Sequence, residues 1–283
     1  MTRQAGIIGH PVAHSLSPVF QSAAFAHCGL DVVYERWDTP GGRLPERIAS
    51  LREPDVLGAN VTIPHKEAVI PLLDELGGQS ARMGAVNTIV NREGRLFGFN
   101  TDGPGFVAAL KAEAVFDPAG KRVLLLGAGG AARGIAFALA EANAAAVAIA
   151  NRTPERAVRL AEAVGSGSGI VRAVPLDVAL GEYDCVVNCT SIGMRGGPAP
   201  SGIPAALDSA RSGTLIVDIV YAPELTPFLA EAARRGLRSI GGLPMLIYQG
   251  ALAFELWTGV RAPIDVMFAA ARNELASRAG AQR

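Results

Sequence analysis

The chain has 283 residues, with 26 Lys+Arg balanced by 26 Asp+Glu and 49% hydrophobic residues. That length suits about two domains with a substantial core, and the even charge gives no reason to expect a nucleic acid or a membrane surface as partner. Each long apolar stretch is broken by charge, Gly or Pro, as where residues 136–140 run into Glu141 and Asn143, so no membrane-spanning segment is expected.

In chain order, Met1-Thr-Arg-Gln-Ala leads straight into a strand over residues 6–8, without the apolar region and cleavage site of a signal peptide. Residues 18–28 read as a helix with Pro18 in its first turn. Strands follow at 32–37 and 57–62, then a helix from Pro64 and His65 to about Leu76. Residues 88–99 read as a hairpin turning at Glu93-Gly94. From Lys121 the pattern is cleaner: strand 123–126, a glycine turn, helix 131–141 and strand 146–150 make one βαβ unit. A further helix begins at Thr153-Pro154, and residues 185–188 and 214–218 are later buried strands of the same sheet. After Gly241-Gly242 the chain turns helical over 245–257 and 264–277, and these helices are expected to return to the first domain. The fold class predicted is α/β with two domains. An N-terminal α/β substrate domain spans 1–103 plus about 245–283, and a Rossmann-type dinucleotide domain spans 104–244. Cys28, Cys185 and Cys189 fit neither a disulfide framework nor a zinc spacing and are expected to pack in a reducing cytoplasm.

Two polar motifs precede the glycine turn: Asn60-Val-Thr-Ile-Pro-His-Lys66 and Asn100-Thr-Asp102. They offer one amine and one carboxylate in segments too rich in Gly, Pro, Thr and Asn to be ordinary core. The turn itself, Gly127-Ala-Gly-Gly-Ala-Ala-Arg133, satisfies Gly-x-Gly-x-x-Ala through Gly127, Gly129 and Ala132, with Gly130 as an extra close-approach position. Glycines there let the backbone approach a pyrophosphate, and the following helix offers N–H groups to its oxygens. Reacting groups first and dinucleotide loop second is the order of a dehydrogenase whose substrate domain precedes its cofactor domain. At the end of the second strand an NAD site usually has an acidic residue for the ribose hydroxyls. This chain has Asn151-Arg152-Thr153 and Arg156 instead, which favours NADP, because a guanidinium matches a phosphate and no carboxylate repels it. The alternative is that Arg152 and Arg156 only solvate a helix N-terminus, where the helix dipole disfavours positive charge.

These motifs resemble the shikimate dehydrogenases of the shikimate/quinate dehydrogenase family. The resemblance runs over nearly the whole length: Gly9-His-Pro-Val-Ala-His-Ser15-Leu-Ser17-Pro18, the Asn60–Lys66 block, Gly84-Ala-Val-Asn87-Thr88, Gly98-Phe-Asn-Thr-Asp102-Gly103, the glycine turn, Asn188-Cys-Thr-Ser-Ile-Gly-Met194 and Gly242-Leu-Pro-Met-Leu-Ile-Tyr-Gln249. It implies reversible reduction of 3-dehydroshikimate to shikimate with NADPH, in aromatic amino-acid biosynthesis. Ser15 and Ser17 would bond the substrate carboxylate, and Thr62, Asn87, Tyr221 and Gln249 the carboxylate or ring hydroxyls. Lys66 and Asp102 would flank the reacting C–O. Gly127, Ala128, Gly129, Gly130 and Ala131 would hold the pyrophosphate, with Asn151, Arg152, Thr153 and Arg156 at the adenosine end. Thr190, Met194, Ile219 and Gly242 would line the nicotinamide side.

A ketone accepting hydride develops alkoxide charge and needs a proton, so Lys66 is expected as general acid/base with Asp102 holding its amine. Ser15 and Ser17 are expected to cap the helix as well as bind. His65 is expected to orient or pack rather than act as base. His10 and His14 share a spacing that could ligate a metal on a helix, but Pro11 and the surrounding Gly and Ser argue for a loop, and no metal is expected. Where the family often carries an acidic residue ahead of the Gly84 block, this chain has Gly77-Gly-Gln79. The rival readings are a quinate or dual quinate/shikimate dehydrogenase and a non-catalytic NADP-binding regulator. The latter would be expected to lose Lys66 or Asp102. The partner expected is a small-molecule substrate, with the protein a monomer or homodimer.

Overall fold

The computed structural model describes residues 2–165 and 169–280. Its elements, in order, are β1 (Arg3–Gly9), α1 (Ser17–His27), β2 (Val32–Asp38), α2 (Leu44–Ser50), β3 (Val56–Val61), β4 (Glu75–Leu76), α3 (Ser80–Met83), β5 (Thr88–Arg92) and β6 (Arg95–Phe99). Next come α4 (Asp102–Glu113), β7 (Arg122–Leu126), α5 (Gly130–Glu141), β8 (Ala146–Ala150), α6 (Pro154–Gly165), β9 (Val171–Val174) and β10 (Cys185–Asn188). The last are β11 (Leu215–Asp218), α7 (Pro227–Arg234), β12 (Arg238–Ile240), α8 (Leu243–Thr258) and α9 (Ile264–Gly280). The chain forms two compact units, Met1–Thr101 with Ile247–Arg283, and Asp102–Leu246. Among the described residues no helix is long and apolar enough to cross a membrane.

The first unit is built on a six-stranded mixed sheet ordered β2-β1-β3-β5-β6-β4. β1 pairs in parallel with β2 and β3, whereas β5 runs antiparallel to β3 and β6. A strand covered on both faces needs apolar side chains on both, and β3 is buried along its whole length. β2, at the sheet edge, buries only Tyr34 and Trp37. Ile8, Trp37, Ile48, Val61, Ile89 and Leu96 form one apolar cluster of this unit. The hairpin turns at Glu93 and Gly94, both at positive φ. At the far end of the chain, α9 packs on α1, and Arg278 Nη1 donates to the His14 carbonyl at 2.8 Å.

The helix expected over 64–76 does not form. Turns carry the chain to a single 3-10 turn, Ile70–Leu72, and then to β4. Pro71 has no N–H to donate to the Glu67 carbonyl, so the α-helical ladder cannot extend past Val69. α1 starts one residue earlier than expected, at Ser17.

The second unit carries a six-stranded sheet ordered β12-β11-β10-β7-β8-β9, parallel throughout. In strand sequence this is the doubly wound order 3-2-1-4-5-6, whose direction of progress reverses between β7 and β10. Leu124, Leu126, Ala148, Val186, Ile216 and Phe228 belong to one core cluster. The chain turns at Leu126–Gly127 and Asn188–Cys189 lie side by side there, because Leu126 is paired with Asn188. Loops leaving the carboxyl ends of strands at such a reversal are where doubly wound sheets bind ligands.

Candidate functional site

In the first unit Ser15, Thr62, Lys66 and Asn87 sit on loops, Ser17 opens α1 and Gln249 lies in α8. Between β1 and α1, Ser15 Oγ accepts from the Ser17 N–H at 3.2 Å. The N-cap of α1 is Leu16, with no side-chain cap bond, so neither serine is the cap expected: Ser15 lies one residue outside it and Ser17 is buried as the first helical residue. After β3, the Thr62 N–H donates to Ile8 at 2.8 Å. A Cβ on Gly9 would lie 2.4 Å from Thr62 Cγ2, so the two loops touch through a position open only to glycine. The Lys66 carbonyl accepts from the Val86 N–H at 2.8 Å, which fixes the lysine backbone beside the segment entering β5. Its neighbour His65 is 2% exposed, with Nε2 2.6 Å from the Thr39 carbonyl, the packing role expected of it.

Asn87, 2% exposed, is the polar centre of this unit. Its Oδ1 accepts from the Thr101 N–H at 2.7 Å and the Thr88 hydroxyl at 3.1 Å, and its Nδ2 donates to Gln249 Oε1 at 3.3 Å. Asn87 and Gln249, 162 positions apart in sequence, are thus brought into direct contact. Sequence reasoning gave no role to Tyr34, whose hydroxyl donates to Asn60 Oδ1 at 2.7 Å, while Asn60 Nδ2 reaches the Asn87 carbonyl at 3.3 Å. Burial pushes the Tyr34 phenol well up, against a hydrogen bond with Ser17. No local pattern marks a tyrosine in mid-strand for such a role. Thr101 was at least inside a named motif.

In the second unit, Asp102 is the first residue of α4 and is 7% exposed. A carboxylate in a first helical turn is favoured by the helix dipole. Gly127 leaves β7 at φ +111, and a Cβ there would stand 3.0 Å from Thr190 Cγ2. Gly129 is the N-cap of α5 and makes no side-chain cap bond, and a Cβ on Gly129 or Gly130 would face open space. Ala128 and Ala131 are half-buried beside them. At the end of β8, Asn151 Nδ2 donates to the Thr153 carbonyl at 2.8 Å, and Arg152 and Arg156 are exposed. Open glycines, a helix N-terminus without a side-chain cap, exposed guanidiniums and no acid at the end of β8 together fit NADP(H).

After β10, Asn188 Oδ1 accepts both the Thr190 N–H at 3.0 Å and its hydroxyl at 2.7 Å. Met194 follows, 39% exposed. After β11, the Ile219 N–H donates to the Asn188 carbonyl at 3.1 Å, and the Gly242 N–H donates to Val220 at 3.2 Å. Thr190, Ile219 and Gly242 are therefore carried by loops that bond to one another, with Tyr221 next along the same segment. Burial pushes the Cys185 and Cys189 thiols far up, so neither offers a thiolate. Among the described residues no group of three or more His, Cys, Asp and Glu could hold a metal ion.

Comparison with known proteins covers both units. Residues 7–89 match the family model for the shikimate dehydrogenase substrate binding domain. Residues 110–234 match that for shikimate / quinate 5-dehydrogenase, and 242–272 that for the shikimate 5'-dehydrogenase C-terminal domain. The chain is 49% identical to the shikimate dehydrogenase (NADP(+)) of Moorella thermoacetica, over 99% of this chain and 96% of that protein. A crystal structure of a shikimate dehydrogenase in complex with NADP+ superposes with a TM-score of 0.92 at 39% identity, covering 97% of this chain and 96% of that one. Shikimate 5-dehydrogenase from Thermus thermophilus, in complex with NADP(H) and shikimate, gives a TM-score of 0.87 at 46% identity, covering 96% of this chain and 99% of that one. The chain belongs to the shikimate dehydrogenase family.

Proposed function

We propose that this protein catalyses the reversible, NADP(H)-dependent interconversion of 3-dehydroshikimate and shikimate, a step towards chorismate and the aromatic amino acids. The observation that carries this is the 49% identity to an NADP(+) shikimate dehydrogenase across 99% of the chain. In this reading residues 1–103 with about 245–283 serve the substrate, and 104–244 serve the dinucleotide. Bound NADPH supplies the hydride.

The chain's own groups do the rest. The hydroxyls of Ser15 and Ser17 bind the substrate carboxylate, aided by the N-terminus of α1. Thr62, Asn87, Tyr221 and Gln249 contact the carboxylate or the ring hydroxyls. Asn87 and Gln249 are already oriented by their mutual bond, which reduces the ordering required on binding. Lys66 is the general acid/base: it stabilises the developing alkoxide and delivers the proton to that oxygen. Asp102 is its partner and holds the amine in place. Gly127, Ala128, Gly129, Gly130 and Ala131 receive the pyrophosphate, and Asn151, Arg152, Thr153 and Arg156 the 2′-phosphate end. Thr190, Met194, Ile219 and Gly242 border the nicotinamide. Unpaired thiols suit a reducing cytoplasm.

One matching family description spans both shikimate and quinate enzymes, which keeps quinate as a second substrate to measure. Steady-state kinetics with each acid against NADP+ and NAD+ test the proposal, and the expected highest kcat/KM is for shikimate with NADP+. Failure to oxidise shikimate would overturn the function. Lys66→Ala is expected to lower kcat by about 10²–10⁴-fold with a smaller change in KM. Near-normal kcat in that variant would overturn the role of Lys66 alone.

A further inference from the structure

We propose that Asp218 is a positioning residue for the nicotinamide half of the cofactor site, acting through Asn188 on Thr190 and through Val220 on Ile219. The inference rests on the reading above, in which those loops border the nicotinamide. Asp218 ends β11 and is completely buried. Its Oδ1 accepts from Asn188 Nδ2 at 2.9 Å and from the Val220 N–H at 3.0 Å, and its Oδ2 accepts from the Thr226 hydroxyl at 2.7 Å. A single carboxylate thus collects donors from the end of β10, the loop after β11 and the N-cap of α7. Burial pushes this carboxyl up, and the bonds from Thr226, Val220 and Asn188 act against that shift. The three bonds favour the ionised, accepting form, but burial is the larger influence.

The two arms from Oδ1 lead to candidate cofactor residues. With its Nδ2 held by Asp218 and by the Ile192 carbonyl at 3.1 Å, the Asn188 amide can turn only Oδ1 towards Thr190, where it takes both the N–H and the hydroxyl. On the other arm Val220 is gripped on both sides, its N–H by Asp218 and its carbonyl by the Gly242 N–H at 3.2 Å. Ile219 lies between that grip and its own bond to the Asn188 carbonyl. The arm to Thr226 is different in kind. Thr226 Oγ1 caps α7 by accepting from the Leu229 N–H at 3.3 Å.

The test compares NADP+ with 2′,5′-ADP, a fragment that retains the adenosine and 2′-phosphate but has no nicotinamide. Asp218→Ala removes every acceptor. It is expected to weaken NADP+ binding at least about tenfold while leaving 2′,5′-ADP and the KM for shikimate within about twofold of the parent. Asp218→Asn is the rescue: its amide oxygen can keep the Asn188 and Val220 bonds, so NADP+ affinity should return to within about threefold. If Asp218→Ala loses the fold, Asn188→Ala carries the same comparison. Equal weakening of NADP+ and 2′,5′-ADP would mark a merely structural role and overturn the proposal, as would unchanged NADP+ affinity or failure of Asp218→Asn to restore it. A parent protein that binds 2′,5′-ADP yet does not oxidise shikimate would refute the functional reading instead.

Discussion

Gly242 offers a sharp steric experiment. A Cβ at this position would lie 2.1 Å from the Ile219 carbonyl oxygen, 2.4 Å from the Ile219 carbonyl carbon and 2.8 Å from the Val220 carbonyl carbon. All three are backbone atoms, so no side-chain rotation relieves the overlap, and the nearest stands 1.3 Å short of the 3.4 Å at which ordinary contact begins. Gly242 is not among the glycines at positive φ, so alanine meets no backbone strain and the effect isolates volume. In Gly242→Ala the Ile219–Val220 segment must move by roughly 1 Å. Overpacking of this kind costs about 1–3 kcal/mol, and weakening the Gly242–Val220 bond adds roughly 1 kcal/mol. At about 2–4 °C per kcal/mol, the Tm should fall by roughly 5–15 °C. If this segment borders the nicotinamide as proposed, a displacement of about 1 Å should lower kcat/KM on the order of 10²-fold.

Gly241→Ala is the matched control, since its Cβ would meet nothing nearer than 3.5 Å. Thermal denaturation and kcat/KM for shikimate, measured on both variants, check the argument. If Gly242→Ala were indistinguishable from Gly241→Ala in both, the claim that this close approach sets the position of Ile219 would be wrong.

Replacing Asn151 with Asp and Arg152 with Ser should shift the kcat/KM ratio from NADP+ towards NAD+ by at least about tenfold, because a charge-assisted phosphate bond of roughly 1.5–3 kcal/mol is lost and a carboxylate gained. An unchanged ratio would return Arg152 to a surface role. Burial holds the Asp218 carboxyl above its ordinary value, so ionising it costs more in the folded protein than in the unfolded chain. Any stability this group contributes is complete below the unfolded value near 3.8 and is lost as pH rises through the higher folded value. Urea unfolding midpoints from pH 4 to 8 should therefore show the parent losing ground to Asp218→Asn as pH rises, and a constant gap would refute the shift.

The sequence was most legible where burial is complete. β7, β8, β10 and β11 are covered on both faces and read as unbroken apolar runs, each stopped by Gly, Asn or Asp. β9 and β12 were missed because they close the two edges of the sheet and are only partly buried, which leaves no apolar run to read. α4 was hidden by Gly103, Pro104 and Gly105, which look like a loop. Pro104 falls within the first helical turn, where no N–H is needed. Gly103 is required because a Cβ would stand 2.4 Å from the Gly134 carbonyl oxygen of α5. The helix expected over 64–76 is stopped by Pro71, which lacks the N–H an interior helical position needs. Of the site, the residues in named motifs were visible as types at positions. The bonds that hold them were not, since Asn87 to Gln249 or Asp218 to Asn188 is a fact of tertiary packing with no local signature.

The two buried polar centres also show why one is an amide and the other a charge. At Asn87 the neighbours ask for both functions: Thr101 and Thr88 present donors to Oδ1, while Gln249 presents its oxygen to Nδ2. An aspartate there would turn the last of these into two facing acceptors, and Gln249 would have to flip its amide. At Asp218 every neighbour with a bond to the side chain is a donor. A carboxylate, with about four lone-pair sites and no proton to place, answers all of them at once. An asparagine could answer two and would point an N–H at a hydroxyl already accepting from Leu229. Desolvation makes the charged choice the costlier one for folding. The donors gathered at Asp218 come from the loops carrying Thr190 and Ile219 and from the cap of α7, so what the buried charge secures is their mutual placement.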